Sequence, residues 1–312
     1  MTTIERWRQQ WEVFWSSPLA AERLALVRIT TGIALVTDIF VQQLPYYGEL
    51  FARHGLEPLG YSDAALLHSW RWTGYFFVVS DGWLASSFGV WIVLALAWTL
   101  GVGGRCVAVG LWLLTLAMLQ RHYYLKNFGD SVLRVTTFML MFVPSCQALS
   151  WSVWRKERRL APRSQPAWGV RLFQLQLCAM YGATAISKLL GPLTSTWYQG
   201  TSLHYALNDV LLARFAYPLL PVPLWASLPL SYLVLLWEVL FIPMVLWRPT
   251  RRFALGFGIA FHVLASLMLE LGWFGFYVLA WYCAWIPDEW FTRVFYPKLW
   301  SRFANLAASR AG

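Results

Sequence analysis

The chain has 312 residues, of which 58% are hydrophobic and 13% charged. An ordinary soluble domain carries roughly 25% charged residues, so this balance, with a mean hydropathy of +0.49, excludes a soluble protein and points to a polytopic membrane protein. The formal net charge of +10 does not mark a nucleic-acid binder, because the basic residues stand between apolar stretches rather than on one polar face.

In chain order, Trp7, Trp11, Phe14 and Trp15 recur at helical spacing among Arg6, Arg8, Gln9 and Glu12. That pattern predicts an amphipathic helix lying along the membrane interface until Pro18. Apolar runs follow at 24–44, 83–100, 106–119, 132–149, 170–190, 228–247, 253–271 and 273–286. A span needs about 20 apolar residues, so the third and last runs are short. Gly101, Gly103 and Gly104 mark one tight link and residues 270–272 another. The first run has the length of a full span with no small-residue cleavage site after it, and reads as an anchor rather than a signal peptide. The expected fold class is an all-α integral membrane protein: one domain over 1–312, a bundle of about eight transmembrane helices with an interfacial N-terminal helix. Segments 45–82 and 191–227 are long for bundle connections and rich in aromatic residues, which predicts two outer lid loops.

Arg6, Arg8, Arg23, Arg105, the basic block at 155–159, Arg163, Arg248, Arg251, Arg252, Arg293, Lys298, Arg302 and Arg310 fall on one side of these spans. Only Arg53, Arg71, Arg121, Lys126 and Arg214 fall on the other. The positive-inside rule then predicts both termini on the cytoplasmic side of a cell membrane, read as a bacterial inner membrane.

Lys188 closes an otherwise apolar run, where a charged group at a helix centre costs roughly 2.5–3.5 kcal/mol and therefore tends to face an interior cavity. Gln174, Tyr181 and Lys188 stand seven residues apart, which puts them on one stripe. An interhelical hydrogen-bonding seam explains the first two, and Lys188 could equally snorkel or form a structural ion pair. Asp130 and Arg134 sit one turn apart at the start of the fourth run, suited to a local ion pair. His262, Ser266 and Glu270 recur every four residues, a spacing that suits a proton relay or a packing contact. Asp38 and Glu238 are further interior acids, either of which Arg28 could pair with. Trp197, His204 and Tyr205 crowd the second outer loop. The four cysteines are scattered and the five histidines lack ligand spacing, so neither a disulfide framework nor a metal site is expected.

The loop at 127–130, the run ATAISKLLG around Lys188, WYQGTSLHYAL from Trp197, FHVLASLMLELGWFGFYVLA in the seventh run and LALVRITTGIALVTD in the first occur in this order. Together they resemble the HTTM family of membrane proteins, which includes the membrane portion of vitamin K-dependent gamma-glutamyl carboxylase. The resemblance implies a lysine base at Lys188 acting on a reduced quinone, the cofactor it suggests; the spacing on the seventh run adds His262 as the expected proton partner. Tyr181, Trp197, His204, Asp130, Arg134 and Glu238 are then expected around the substrate. A desolvated amine loses its proton more readily, which would let it accept one from a quinol. The chain departs from the carboxylase at 128–130, where the carboxylase has a histidine, and the lumenal peptide-binding domain is not expected here. Three readings follow: a quinol-linked membrane enzyme; a nonenzymatic maturation or immunity partner holding a secreted hydrophobic peptide; and a transporter, for which no inverted repeat stands out.

Overall fold

The computed structural model describes residues 2–56, 80–121, 127–158, 160–215 and 219–299. The chain divides into two compact units, Met1–Leu172 with Cys283–Gly312, and Phe173–Tyr282.

The first unit opens with α1, Thr3–Ser16, which starts in a capping box between Thr2 and Glu5. It buries no residue and exposes Ile4, Trp7 and Trp11. The short strand β1, Pro18–Ala20, pairs antiparallel with β2, Ser164–Pro166, a three-residue ladder in a chain that is otherwise helical, as the all-α class requires. Helix α2, Glu22–Asp38, runs on into a π-helical turn at Ile39–Gln43. A short α3, Tyr47–Leu50, follows, then α4, Asp81–Leu100. One stripe of α4, Leu84, Phe88, Trp91, Ala95 and Trp98, is buried at alternating steps of four and three, the repeat of a single helix face. Next comes α5, Gly104–Arg121, where Thr115 Oγ1 accepts a hydrogen bond from Trp91 Nε1 at 3.0 Å. Gly32 lets α2 approach α4 closely, since a Cβ there would collide with Thr99.

The fourth apolar run was expected to be helical to residue 149. Helix α6, Phe128–Phe142, instead begins at an Asn127 cap and stops before Val143. Val143 precedes Pro144 and is extended, as that position favours. Residues 143–150 form a reversing turn in which Leu149 adopts a positive φ of 45°. The helix α7, Trp151–Glu157, follows. At the basic end, Glu22 is fully buried and accepts from Tyr296 Oη at 2.6 Å and the Arg163 amide at 3.0 Å. Arg23 pairs with Asp288 at 2.8 Å.

The second unit takes most of α8, Trp168–Leu189, then α9, Ser202–Asn208, α10, Leu224–Leu246, α11, Arg248–Met268, and α12, Phe274–Tyr282. Pro249 stands in the first turn of α11, where a missing amide proton costs nothing. In sequence, α9 packs on α10, α10 on α11, and α11 on α12. The expected second outer loop is a folded segment: Arg214 N donates to Met268 O at 2.9 Å and Glu270 N to Leu212 O at 2.7 Å, tying it to the end of α11. The first expected lid falls largely on residues 57–79, outside the described residues.

Among the described residues, four helical stretches are long and apolar enough to cross a membrane: Glu22–Gln43, Asp81–Leu100, Leu224–Leu246 and Arg248–Met268. A shorter apolar stretch covers Phe274–Trp285. Helices also form on the remaining apolar runs, but α5 and α6 are shorter, and α8 carries polar residues along its length.

Candidate functional site

The second unit gathers most of the candidate residues. The buried stripe of α8, Phe173, Leu177, Tyr181 and Ala185, leads at helical spacing to Lys188 near the helix end. On α10 the buried stripe is Ser227, Ser231, Val234, Glu238, Phe241 and Val245. The two stripes bring Lys188 Nζ to Glu238 Oε2 at 2.5 Å, with the lysine side chain 17% and the glutamate 6% exposed. Glu238 Oε1 accepts no hydrogen bond among the described residues.

A turn after α8 completes this cluster. Tyr198 Oη donates to the Leu189 carbonyl, and Tyr232 Oη on α10 donates to the Tyr198 carbonyl at 2.8 Å. Gly200 has a φ of 71°, and a Cβ there would strike the Tyr232 ring. The turn so held sets the Trp197 ring with its centroid 3.8 Å from Lys188 Nζ, a cation–π distance. Burial, a carboxylate and an aromatic face therefore surround this amine, in place of a solitary amine in an apolar chamber.

A second cluster forms where Tyr181 Oη lies 2.6 Å from His262 Nε2 and 2.6 Å from Tyr282 Oη. All three side chains are buried. Two proton arrangements satisfy the chain: Tyr282 donates to Tyr181, which donates to His262, or His262 Nε2–H donates to Tyr181, which donates to Tyr282. Gly258 makes room for it, because a Cβ there would meet the Tyr282 hydroxyl. Trp237 and Phe241 pack on the Tyr181 ring with centroids 4.7 and 4.3 Å away. Trp237 precedes Glu238 in the chain, so the same turn of α10 serves both clusters.

The expected relay along α11 takes another course. His262 reaches across to Tyr181 rather than along its own helix, and its Nδ1 has no hydrogen-bond partner among the described residues. Ser266 Oγ, packed against Gly275, has none there either. Glu270 lies beyond the helix end and pairs at the surface with Arg214 at 3.3 Å. His204 sits on α9 with Asn208 Nδ2 3.3 Å from its Nδ1. Asn208 also bonds the Val222 backbone in both directions, which fastens α9 to the segment before α10.

Asp130 and Arg134 belong to the first unit. Asp130 Oδ2 accepts from the Asn127 amide at 3.0 Å and its own amide donates to Asn127 Oδ1 at 3.1 Å. No ion pair joins it to Arg134 among the described residues, because the carboxylate turns back to cap the helix. Among the described residues Arg28 forms no ion pair with Asp38, the expected acid of its own unit. It is fully buried and donates to the carbonyls of Ser145 and Leu149, the latter at 2.6 Å.

Beside the second cluster lies a cavity of about 350 Å³ walled by apolar side chains of α9, α10 and α11 and by Phe274 at the start of α12. Phe261 and Phe274 each face the cavity and also pack on the His262 ring, at 5.1 and 5.6 Å. Leu203 and Leu207 of α9 form one wall. Tyr282, Trp237 and this cavity have no signal of their own in the sequence, since Tyr282 lies inside the apolar run 273–286 and Trp237 inside the run 228–247.

No curated protein and no solved structure matches the chain. The sequence model of the HTTM domain matches residues 17–290, a stretch that holds both clusters and all four long apolar helices. The chain belongs to the HTTM domain family of membrane proteins.

Proposed function

We propose that the second unit houses a membrane-embedded catalytic centre in which the Lys188–Glu238 pair removes a proton from a lipophilic substrate bearing an acidic hydroxyl, a reduced quinone being the favoured case. The observation that carries this reading is the pair itself, 2.5 Å apart and screened by Trp197. Removing charges from water costs several kcal/mol per ion, and two apolar residues would pack a bundle as well, so an acid and a base retained here call for a role. The Tyr181–His262–Tyr282 chain is the neighbouring proton-holding group, and the apolar cavity suits the hydrocarbon part of such a substrate. The kinship to the gamma-carboxylase membrane domain points to the same chemistry. The reading includes eight spans, an interfacial α1 and both termini on the cytoplasmic side of a bacterial inner membrane, supported by the one-sided basic residues.

The test is to purify the protein in mild detergent, identify co-purifying quinones by mass spectrometry and assay oxygen-dependent epoxidation of their reduced forms. Lys188→Gln is expected to remain folded and inserted while losing the reaction. Full activity in that variant, or no quinone and no epoxide from any reduced benzoquinone or naphthoquinone, sinks the proposal.

A second reading rests on the cavity alone, whose walls include neither Lys188 nor Glu238. There the protein holds a secreted hydrophobic peptide as a maturation or immunity partner. Enlarging a wall residue, Ala260→Phe, would then weaken peptide capture and leave Lys188→Gln without effect.

A further inference from the structure

We infer that within the Lys188–Glu238 pair the proton acceptor is the Glu238 carboxylate, and that Lys188 stays an ammonium throughout and receives the substrate oxyanion. This rests on the reading of the pair as the reactive centre, and assigns the two residues different parts in it.

The assignment follows from what surrounds each group. Lys188 Nζ lies 2.5 Å from a carboxylate oxygen and 3.8 Å from the centroid of an indole ring. Both neighbours are built to take a cation: a carboxylate oxygen on one side and the electron-rich face of an indole on the other. An ammonium has no lone pair and cannot accept a proton. It has three N–H bonds, and the one aimed at Glu238 leaves others for a second acceptor. Glu238 uses Oε2 toward Lys188, while Oε1 accepts no hydrogen bond among the described residues. An ionised carboxylate takes about four hydrogen bonds, so the open lone pairs of the pair lie on the glutamate.

The step balances without any further reactant. The substrate O–H bond breaks, its electron pair stays on the substrate oxygen, and the proton forms a bond to Glu238 Oε1. Before transfer the ammonium is countered by the carboxylate, and afterwards by the new oxyanion, with Glu238 neutral. Net charge in the site is unchanged, which matters in a medium that penalises an uncompensated ion. Stabilising charge where it develops is the larger part of catalysis at such oxyanions, and a fixed cation serves it directly. Lys188 and Glu238 would both touch the reacting atoms and are both catalytic residues on this assignment.

The two candidate acceptors differ in where the proton ends, and infrared difference spectroscopy reads that directly. The probe is a 4-nitrophenol carrying an alkyl chain, added to the full-length protein in detergent at a pH low enough to keep the free probe protonated, with phenolate absorbance above the protein-free control followed in parallel. The expected result is phenolate formation with a new carbonyl stretch of a protonated carboxylic acid, shifted by ¹³C-labelled glutamate and absent in Glu238→Gln. Lys188→Arg keeps a cation that cannot give up its proton, and should retain both signals, whereas Lys188→Gln loses both. Phenolate without the acid band in the wild-type protein, together with loss of phenolate in Lys188→Arg, overturns the assignment and makes the amine the base. No phenolate in the wild-type protein overturns the reading of the pair itself. Should Glu238→Gln fail to yield folded protein, the labelled wild-type spectrum and Lys188→Arg decide between the acceptors.

Discussion

Two cations, the buried Arg28 in the first unit and the half-buried Lys188 in the second, have opposite company. Arg28 is fully enclosed and its guanidinium nitrogens donate to the backbone carbonyls of Ser145 and Leu149, in the turn that follows α6. Gly101 approaches it so closely that a Cβ there would stand 3.1 Å from the guanidinium carbon. A planar fork that keeps its charge suits this task, since it satisfies two carbonyls that a terminated helix and a reversing turn leave exposed. Arg121 repeats the pattern, donating to the carbonyls of Phe51 and Ala52. Lys188 faces an acid and an aromatic ring instead. A backbone carbonyl oxygen is a far weaker base than a carboxylate, so the arginines clamp backbone while the lysine's partner is a group that can exchange protons. A buried charge in a membrane helix is therefore a sign of function only when its partner can titrate.

The comparison breaks most sharply at Glu238. Glu238→Leu strands the Lys188 ammonium, and loss of one partner of a buried pair costs about 3–5 kcal/mol. The double variant Lys188→Met with Glu238→Leu removes both charges and should recover most of that loss, to within about 1 kcal/mol, as apolar replacement of a buried pair often does. Thermal unfolding in detergent, analysed as a double-mutant cycle, measures the coupling. A double variant as unstable as the single one would make the pair a structural brace like Arg28. Arg28→Met has no such rescue: it leaves two carbonyls without donors at about 1–3 kcal/mol each, and no second substitution restores them.

This contrast also explains what could be read beforehand. Helices form on each apolar run because burial against lipid or protein needs only composition and length, and Lys188 stood out because its charge did. The Asn127–Asp130 capping box is equally local, since both partners lie within one turn, yet in the sequence Asp130 was matched to Arg134. The pairing of Lys188 with Glu238, 50 residues apart, was not legible. Periodicity gives the face of a helix, not the helix it meets, and four interior acids or cations compete on equal terms. Tyr282 was hidden for the same reason, as its partner Tyr181 is 101 residues away. The end of α6 was legible in principle, because Pro144 lies inside the run and removes its predecessor from helical backbone.

Within the second unit, Tyr181→Phe sharpens the comparison further by deleting the hydroxyl shared by His262 and Tyr282. Two buried polar groups then lose a partner, an expected cost of about 1–3 kcal/mol. Gly258→Ala should cost about as much by driving a methyl group into the Tyr282 hydroxyl, typical of overpacking at about 1–3 kcal/mol. Tyr282→Phe removes the struck oxygen and should return part of the loss to Gly258→Ala. Additive effects of the two substitutions in thermal unfolding would mean that the hydroxyl is not what Gly258 accommodates.

The smallest effect is expected at a pair that looks similar on paper. Arg214 and Glu270 also join an arginine to a glutamate, at 3.3 Å, but their side chains are 45% and 53% exposed. Water solvates both ions with or without each other, so an exposed pair contributes about 0–1 kcal/mol and is screened further by salt. The segment they join is already fastened by the Arg214 amide to Met268 and the Glu270 amide to Leu212, bonds that survive loss of either side chain. Glu270→Gln should therefore leave the unfolding temperature nearly unchanged at all salt concentrations. A loss comparable to that of Glu238→Leu would show that exposure is not what separates the two acids, and would move the search for a proton acceptor to Glu270, beyond the end of α11.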